Sequence, residues 1–309
     1  MSVVCVCVLC VSGIIETPLA EVFDHLLPKH SFCLHRDKRH IVIDRWMQCF
    51  DIKNRKRVNS EDISPYIVSL DTTCMHANPI RADAYFLGSS RHIIEYDCEQ
   101  TISDKIRYIT HFDQINGHPK DLIATSQLPQ QLFIVFAYDK LVRVDVKSGC
   151  VTFLAGNGEI ELEPGDGVSS NDSLYLVNSL CFHGKDETIL FISTDYDIRR
   201  FDTTRGEMRI ITRRADLRPN RIRSTSAGLL VVSCVKNQCL FVVDGQTGDV
   251  QRLHENSHNH VHGPDFTSIV NMEINATDQM AIFFLETNGF DIHTITLPPS
   301  LFHVSPSIK

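Results

Sequence analysis

The stretch Leu132-Phe-Ile-Val135, followed by Leu141-Val-Arg-Val-Asp145-Val-Lys-Ser-Gly149-Cys-Val-Thr-Phe-Leu154, holds three apolar runs separated by short polar breaks. Runs rich in Val, Ile and Phe, bounded by Asp, Ser and Gly, read as β-strands joined by tight turns. The second run ends on an apolar residue followed by Asp, and the glycine four places after that Asp suits a turn needing positive φ. The same ending recurs at Phe50-Asp51, Tyr96-Asp97, Phe201-Asp202 and Val243-Asp244, so successive anchors lie 46, 48, 57 and 42 residues apart. Ahead of the later anchors lie further pairs of runs: Tyr85-Phe-Leu87 with Ile93-Ile-Glu-Tyr96, Leu190-Phe-Ile-Ser193 with Ile198-Arg-Arg-Phe201, and Leu229-Leu-Val-Val232 with Leu240-Phe-Val-Val243. Each reads as a hairpin. A fourth, leading strand is visible at His118–Thr125, Val177–Phe182 and Phe266–Met272.

Four antiparallel strands repeated at this period predict a β-propeller, whose blades are four-stranded sheets arranged around an axis. Units centred near residues 42, 90, 138, 193, 237 and 287 predict six blades. The last keeps its hairpin, Ile282-Phe-Phe-Leu285 with Phe290-Asp-Ile-His-Thr-Ile295, but has Thr294 and Thr296 in place of the anchor. A closed ring needs an outer strand for that blade, from either Val3–Val11 or Leu301–Val304, because an unpaired edge invites association. Residues 1–13 are therefore read as a signal segment or a ring-closing strand, and 14–309 as one propeller domain.

The opening run Val-Val-Cys-Val-Cys-Val-Leu-Cys-Val (3–11) admits three readings: a signal-peptide core without a preceding Lys or Arg, a β-branched strand, or a translated dinucleotide repeat. A cytoplasmic location is the expectation, and a secreted one follows if residues 1–13 are a signal peptide. The sequons Asn171-Asp-Ser173 and Asn275-Ala-Thr277 matter only in the secreted case. Eleven cysteines do not imply a complete disulfide framework, and most are expected to be small buried hydrophobes. Cys234 and Cys239 fall opposite each other across a hairpin, within reach of a disulfide, with two free thiols the expectation for a cytosolic protein.

The 309 residues are 43% hydrophobic and 22% charged, an ordinary globular composition that excludes disorder and a membrane bundle. The net charge of −8 hides a segregation, since residues 199–223 hold nine arginines against three acids and net +6, leaving −14 elsewhere. Arginine without lysine favours bidentate recognition of phosphate or carboxylate. Thr212–Asn220 would connect an outer strand to the next inner one, and Arg213, Arg214, Arg218, Arg221 and Arg223 are the expected partner-binding residues. The alternative is that these arginines are solvated strand positions paired with neighbouring acids. Little aromatic residue is interleaved for base stacking, which weakens the case for single-stranded RNA. A second basic run, Arg36–Arg57, has eight Lys or Arg against three Asp and contains the one tryptophan, Trp46. It reads as a solvated turn.

Leu132 to Gly167, with Arg143-Val-Asp145, Gly149-Cys-Val-Thr-Phe-Leu-Ala-Gly156-Asn-Gly158 and Gly165-Asp-Gly167, resembles the NHL-repeat family of six-bladed propellers. Leu230–Asp244 also has that family's length, with Asn237 at its turn; the resemblance is good over residues 117–255 and degenerate outside them. It implies one of several functions: a protein-interaction platform, an RNA-binding domain of the kind attached to tripartite-motif proteins, a sugar-lactone hydrolase with a central divalent metal, or a zinc-dependent peptide-amidation lyase. For a metal-dependent hydrolase the available groups are Asp71, Asp121, Asn178, Asn271 and Glu273, which show no common register in the sequence. His258, His260 and His262, with His254, form a cluster of imidazoles without the Cys or carboxylate spacing of a structural zinc site. No nucleophile elbow, His-Glu-x-x-His or phosphate-binding loop is present. The reading is thus a monomeric, non-catalytic binding scaffold that uses no cofactor and docks a protein, with an acidic segment or RNA as the anionic possibilities and neither DNA nor membrane as partner.

Overall fold

A computed structural model describes residues 4–10, 13–19, 32–34, 40–43, 48–51, 56–58, 72–81, 84–98, 100, 104, 106–112, 115, 117–137, 140–156, 174, 176–214, 217–234, 239–255, 269–275, 280–286 and 290–302. These residues form β-strands, one 3-10 turn at Pro299–Leu301 and no α-helix. The chain divides into two compact units, residues 29–180 and residues 1–28 with 181–309. The N-terminal run forms β1 (Val4–Cys10) and β2 (Gly13–Leu19), both in the second of these units.

In the unit of residues 29–180, the first sheet has the order β3 (Phe32–Leu34), β4 (His40–Ile43), β5 (Gln48–Asp51), β6 (Lys56–Val58). The next sheet runs β7 (Thr72–Ala77), β8 (Ala84–Ser89), β9 (His92–Asp97), β10 (Ile106–His111). The third runs β11 (Pro119–Ala124), β12 (Gln131–Phe136), β13 (Lys140–Asp145), β14 (Val151–Ala155). Each is an antiparallel meander, so every strand hydrogen-bonds its neighbour in sequence. Burial follows strand order: β8 and β12 are buried almost throughout, while β10 and β14 carry exposed residues. A middle strand is covered on both faces, which is why it reads as a continuous apolar run. Phe86, Ile93, Phe112, Leu122, Ile134, Phe136 and Val144 pack together between the second and third sheets.

The other unit continues with β15 (Val177–His183), whose first residues belong to the preceding unit, then β16 (Asp186–Thr194), β17 (Asp197–Asp202) and β18 (Glu207–Arg213). A further meander is β19 (Pro219–Ser224), β20 (Leu229–Cys234), β21 (Cys239–Asp244), β22 (Val250–Glu255). The last sheet has five strands, in the order β2, β1, β25 (Phe290–Thr296), β24 (Met280–Glu286), β23 (Ile269–Asn275). Here β1 lies parallel to β25, Val6 beside Ile292 and Val8 beside Thr294, and β2 folds back on β1 as a hairpin. The N-terminal run therefore occupies the edge beside the last hairpin, in parallel where the other sheets are antiparallel throughout. Val231, Leu240, Met272, Ala281, Leu297 and Leu301 form the core between the last two sheets.

The apolar-Asp anchors end the third strand of each meander. At Asp145 the carboxylate accepts the Ser148 N–H (2.7 Å) and hydroxyl (2.7 Å), and Gly149 closes the turn by donating to the Asp145 carbonyl (2.8 Å). Asp202 accepts the Thr204 and Arg205 N–H groups and Asp244 those of Gln246 and Thr247, with Gly206 and Gly248 closing in the same way. All three glycines have positive φ, between 69° and 80°. The Asp145 carboxyl is held below the ordinary carboxylate value by the Ser148 N–H and then its hydroxyl, and the Asp202 carboxyl chiefly by the Thr204 hydroxyl.

Cys234 and Cys239 are register partners, both buried, and no disulfide joins them. Burial, with Cys234 as neighbour, pushes the Cys239 thiol up to about 11.

Candidate functional site

The arginines of residues 199–223 fall into three structural settings. Asp197 and Arg199 are two apart on β17 and so share a face of the strand. Asp197 has no solvent exposure and Arg199 about 2% along its side chain, with Arg199 Nε 3.0 Å and Nη2 3.3 Å from the carboxylate. Arg199 is thus not a solvated position but the largest side chain buried to this degree among the described residues.

Arg213 lies opposite Asp197 in the pairing of β17 with β18 and donates through Nη2 to its second oxygen at 3.3 Å. The Arg213 side chain keeps 39% of its surface exposed. The Thr194 hydroxyl donates to the same carboxylate (2.9 Å) while its oxygen accepts the Tyr196 and Asp197 N–H groups. Tyr196, one residue along from the carboxylate that anchors Arg213, is 42% exposed in that turn. Two guanidinium groups share one buried carboxylate, and Arg213 carries its charge to the surface.

Beyond Arg213 the chain turns, the Leu217 N–H donating to the Arg214 carbonyl at 3.0 Å. Leu217 is buried in the core with Ile222, Leu230 and Phe241 and so pins the turn. Arg214 and Arg218, at its two ends, are exposed, and the Arg218 N–H donates to Cys234 Sγ at 3.3 Å. Arg213, Arg214 and Arg218 therefore lie together on one connection.

Arg221 and Arg223 lie on β19, away from that turn. The Arg221 N–H donates to the Ser233 hydroxyl at 2.9 Å. Arg223 reaches β23, with Nη2 3.1 Å from Glu273 Oε1 and 3.2 Å from Asn271 Oδ1. Only 12% of the Arg223 side chain and 14% of the Glu273 side chain are exposed, so this pair ties two leading strands together.

Among the groups considered for a hydrolase, Asp121 and Asn271 hold equivalent registers, which the sequence had concealed. Each is the first paired residue after a bulge in its leading strand. Each also accepts the next residue's N–H on Oδ1, from Leu122 at 3.0 Å and Met272 at 2.8 Å. Asp121 is buried and also takes the Ser179 hydroxyl (2.5 Å) and the Leu180 N–H (3.2 Å). Asn178 is half-buried on β15, and Asp71 lies outside the described residues. His254 falls on β22, while His258, His260 and His262 lie outside the described residues, as does most of the Arg36–Arg57 run. Among the described residues no three His, Cys, Asp or Glu side chains gather as a metal site would require.

A further charged network escaped the sequence reading. Glu95, nearly buried on β9, is bound by Arg107 (2.7 Å), Arg81 (3.2 Å) and the Asn78 amide (2.8 Å), and Arg81 also reaches Asp97. Arg107 continues to the Val146 carbonyl at 3.1 Å and Gln130 donates to Asn78, so the network bridges the second and third sheets. The signal available was Glu95 and Asp97 at i and i+2 on an apolar strand, where buried acids need partners.

No family model matches the chain, and no curated protein matches it. Among solved structures it is similar to the extracellular domain of a putative one-component system, BT4673, from B. thetaiotaomicron, with a TM-score of 0.53 and 18% identity over 83% of this chain. A second structure, described as the extracellular domain of the putative hybrid two-component system BT4673 of the same organism, gives a TM-score of 0.52 and 17% identity. The chain spans about a third of each, 31% of their length. The likeness, with the succession of four-stranded antiparallel sheets, defines an all-β, propeller-like fold.

Proposed function

We propose that this chain is a non-catalytic binding scaffold, a six-bladed, NHL-like propeller that presents one connection to an acidic segment of a protein partner. In this reading the sheet beginning at β3 is the first blade, and the sheet of β23, β24 and β25 is the last, with β1 beside β25 fastening the ring. The contact residues are Arg213, Arg214 and Arg218; Arg223 is engaged with Glu273 and supports the scaffold.

The observation that carries the proposal is that Asp197, itself fully buried, holds the half-exposed Arg213 beside a turn pinned by Leu217. A guanidinium fixed at its base loses less side-chain freedom on binding, so more of its charge-assisted hydrogen bonding appears as affinity. The test is fluorescence anisotropy with a labelled oligoglutamate peptide, and with a single-stranded oligoribonucleotide as comparison. Arg214→Glu with Arg218→Glu is expected to weaken peptide binding about tenfold or more, and salt to weaken it in the parent. Unchanged peptide affinity overturns the proposal; preferential binding of the oligoribonucleotide, dependent on Tyr196, replaces the acidic peptide with RNA.

A further inference from the structure

In the unit of residues 29–180, two histidines face each other at the end of a sheet. His92 opens β9, His111 closes β10, and the two are direct partners across the antiparallel pair. Partners of this kind project to the same side with Cβ atoms about 4.5–5.5 Å apart. The two imidazoles have ring centroids 4.4 Å apart at 56°, and Tyr108 stands edge-on to His92 at 5.4 Å. His111 and Tyr108 are exposed and His92 is half-buried, so water reaches the pair.

We infer that His92 and His111 form a two-nitrogen chelating site for a divalent late first-row transition ion such as Ni2+, Cu2+ or Zn2+. Imidazole is the neutral nitrogen donor these ions favour. Bonds of about 2.0–2.1 Å to a shared ion place the two ligating nitrogens roughly 3 Å apart. Rings already in contact reach that spacing by side-chain rotation.

The backbone beneath them is held on both sides. The Ser89 hydroxyl accepts the His92 N–H (3.1 Å) and donates to the His92 carbonyl (3.3 Å). The Phe112 N–H donates to the Arg91 carbonyl (2.7 Å), and the buried Phe112 ring meets Phe136 edge-on at 5.0 Å. Binding thus orders little beyond two side chains, the condition under which a two-ligand site retains useful affinity. The remaining coordination positions go to water or to a donor from a binding partner, so the ion exchanges freely.

The test uses the full chain with labelled tyrosine rings and Ni2+ alone as the probe. His258, His260 and His262 are replaced by alanine so that they do not compete. Paramagnetic broadening of the Tyr108 resonance at low Ni2+ is expected, with an affinity that falls tenfold or more in His92→Ala and in His111→Gln. His111 is exposed at a strand end, so His111→Gln keeps the test open if His92→Ala does not fold. Absence of Tyr108 broadening in the parent, or equal broadening in the folded variants, overturns the assignment.

Discussion

Gly149 sits so close to the Ile109 carbonyl oxygen that a Cβ there would lie 2.2 Å from it. Ile109 is the bulged residue of β10, skipped between the pairs made by Tyr108 and Thr110. The other unit repeats the arrangement: a Cβ on Gly248 would lie 2.3 Å from the carbonyl oxygen of Ile211, which is skipped in β18. A turn glycine of one sheet is thus seated on the bulged carbonyl of the preceding outer strand. Gly206 has the same φ as Gly149, but among the described residues its Cβ would meet nothing within 4 Å.

That contrast separates two costs. Gly206→Ala meets only the positive-φ penalty and is expected to destabilise by about 1 kcal/mol. Gly149→Ala and Gly248→Ala add a backbone collision and are expected to lose about 2–3 kcal/mol. Urea unfolding of the three variants measures the difference, and equal losses would show that the seat contributes nothing.

The carboxyls of Asp145 and Asp202 are held below the ordinary value of 3.8 by their turn hydrogen bonds. The folded state favours their ionised forms, so their contribution is fully present above that value and is lost as pH falls through and below it. Asp145→Asn and Asp202→Asn should therefore flatten the dependence of stability on pH in the acid range and leave its slope near neutrality unchanged. Unfolding midpoints measured across both ranges check this, and an unaltered acid slope contradicts it.

Arg199→Met leaves the fully buried Asp197 with one guanidinium instead of two and is expected to destabilise by about 3–5 kcal/mol. Asp197→Leu combined with Arg199→Met removes the charge along with its partner and should recover roughly half of that loss or more. A double-mutant cycle by chemical denaturation reads the coupling directly. Additive losses would mean the pair is not a unit.

Cys150 is exposed, whereas Cys239 is buried with a thiol pushed up to about 11. Thiolate is the reactive form, so a native-state alkylating reagent should modify Cys150 well before Cys234 or Cys239. Peptide mapping after brief iodoacetamide treatment tests the order. Early modification of Cys239 would place it in a different environment from the one described.

The strand plan was legible because it rests on local chemistry. The anchors at Asp145, Asp202 and Asp244 each need only an Asx turn and an apolar neighbour, and these three, like Asp97, close a third strand. The positive φ of Gly149, Gly206 and Gly248 was legible for the same reason. The site was legible only in part. A run of arginines shows charge but not depth, so Arg223 looked equivalent to Arg214 and Arg199 read as a solvated strand position, although pairing with Glu273 and Asp197 takes both out of solvent. Tyr196 went unread because the pairing of its neighbour Asp197 with Arg213 arises across two strands. The shared register of Asp121 and Asn271 was hidden by bulges, which shift strand pairing without leaving a residue signature.

The glycine seat described above joins sheets through a side chain that is missing and a carbonyl that every residue possesses. Such a joint makes a single demand on residue type at each turn and none on the strand that receives it. The outer strands are therefore at liberty to exchange one side chain for another, Tyr108 and His111 among them, without loosening the union of neighbouring sheets. Surface chemistry and architecture are in this way under separate control, and a chain built like this is able to acquire new contacts while its skeleton stays the same.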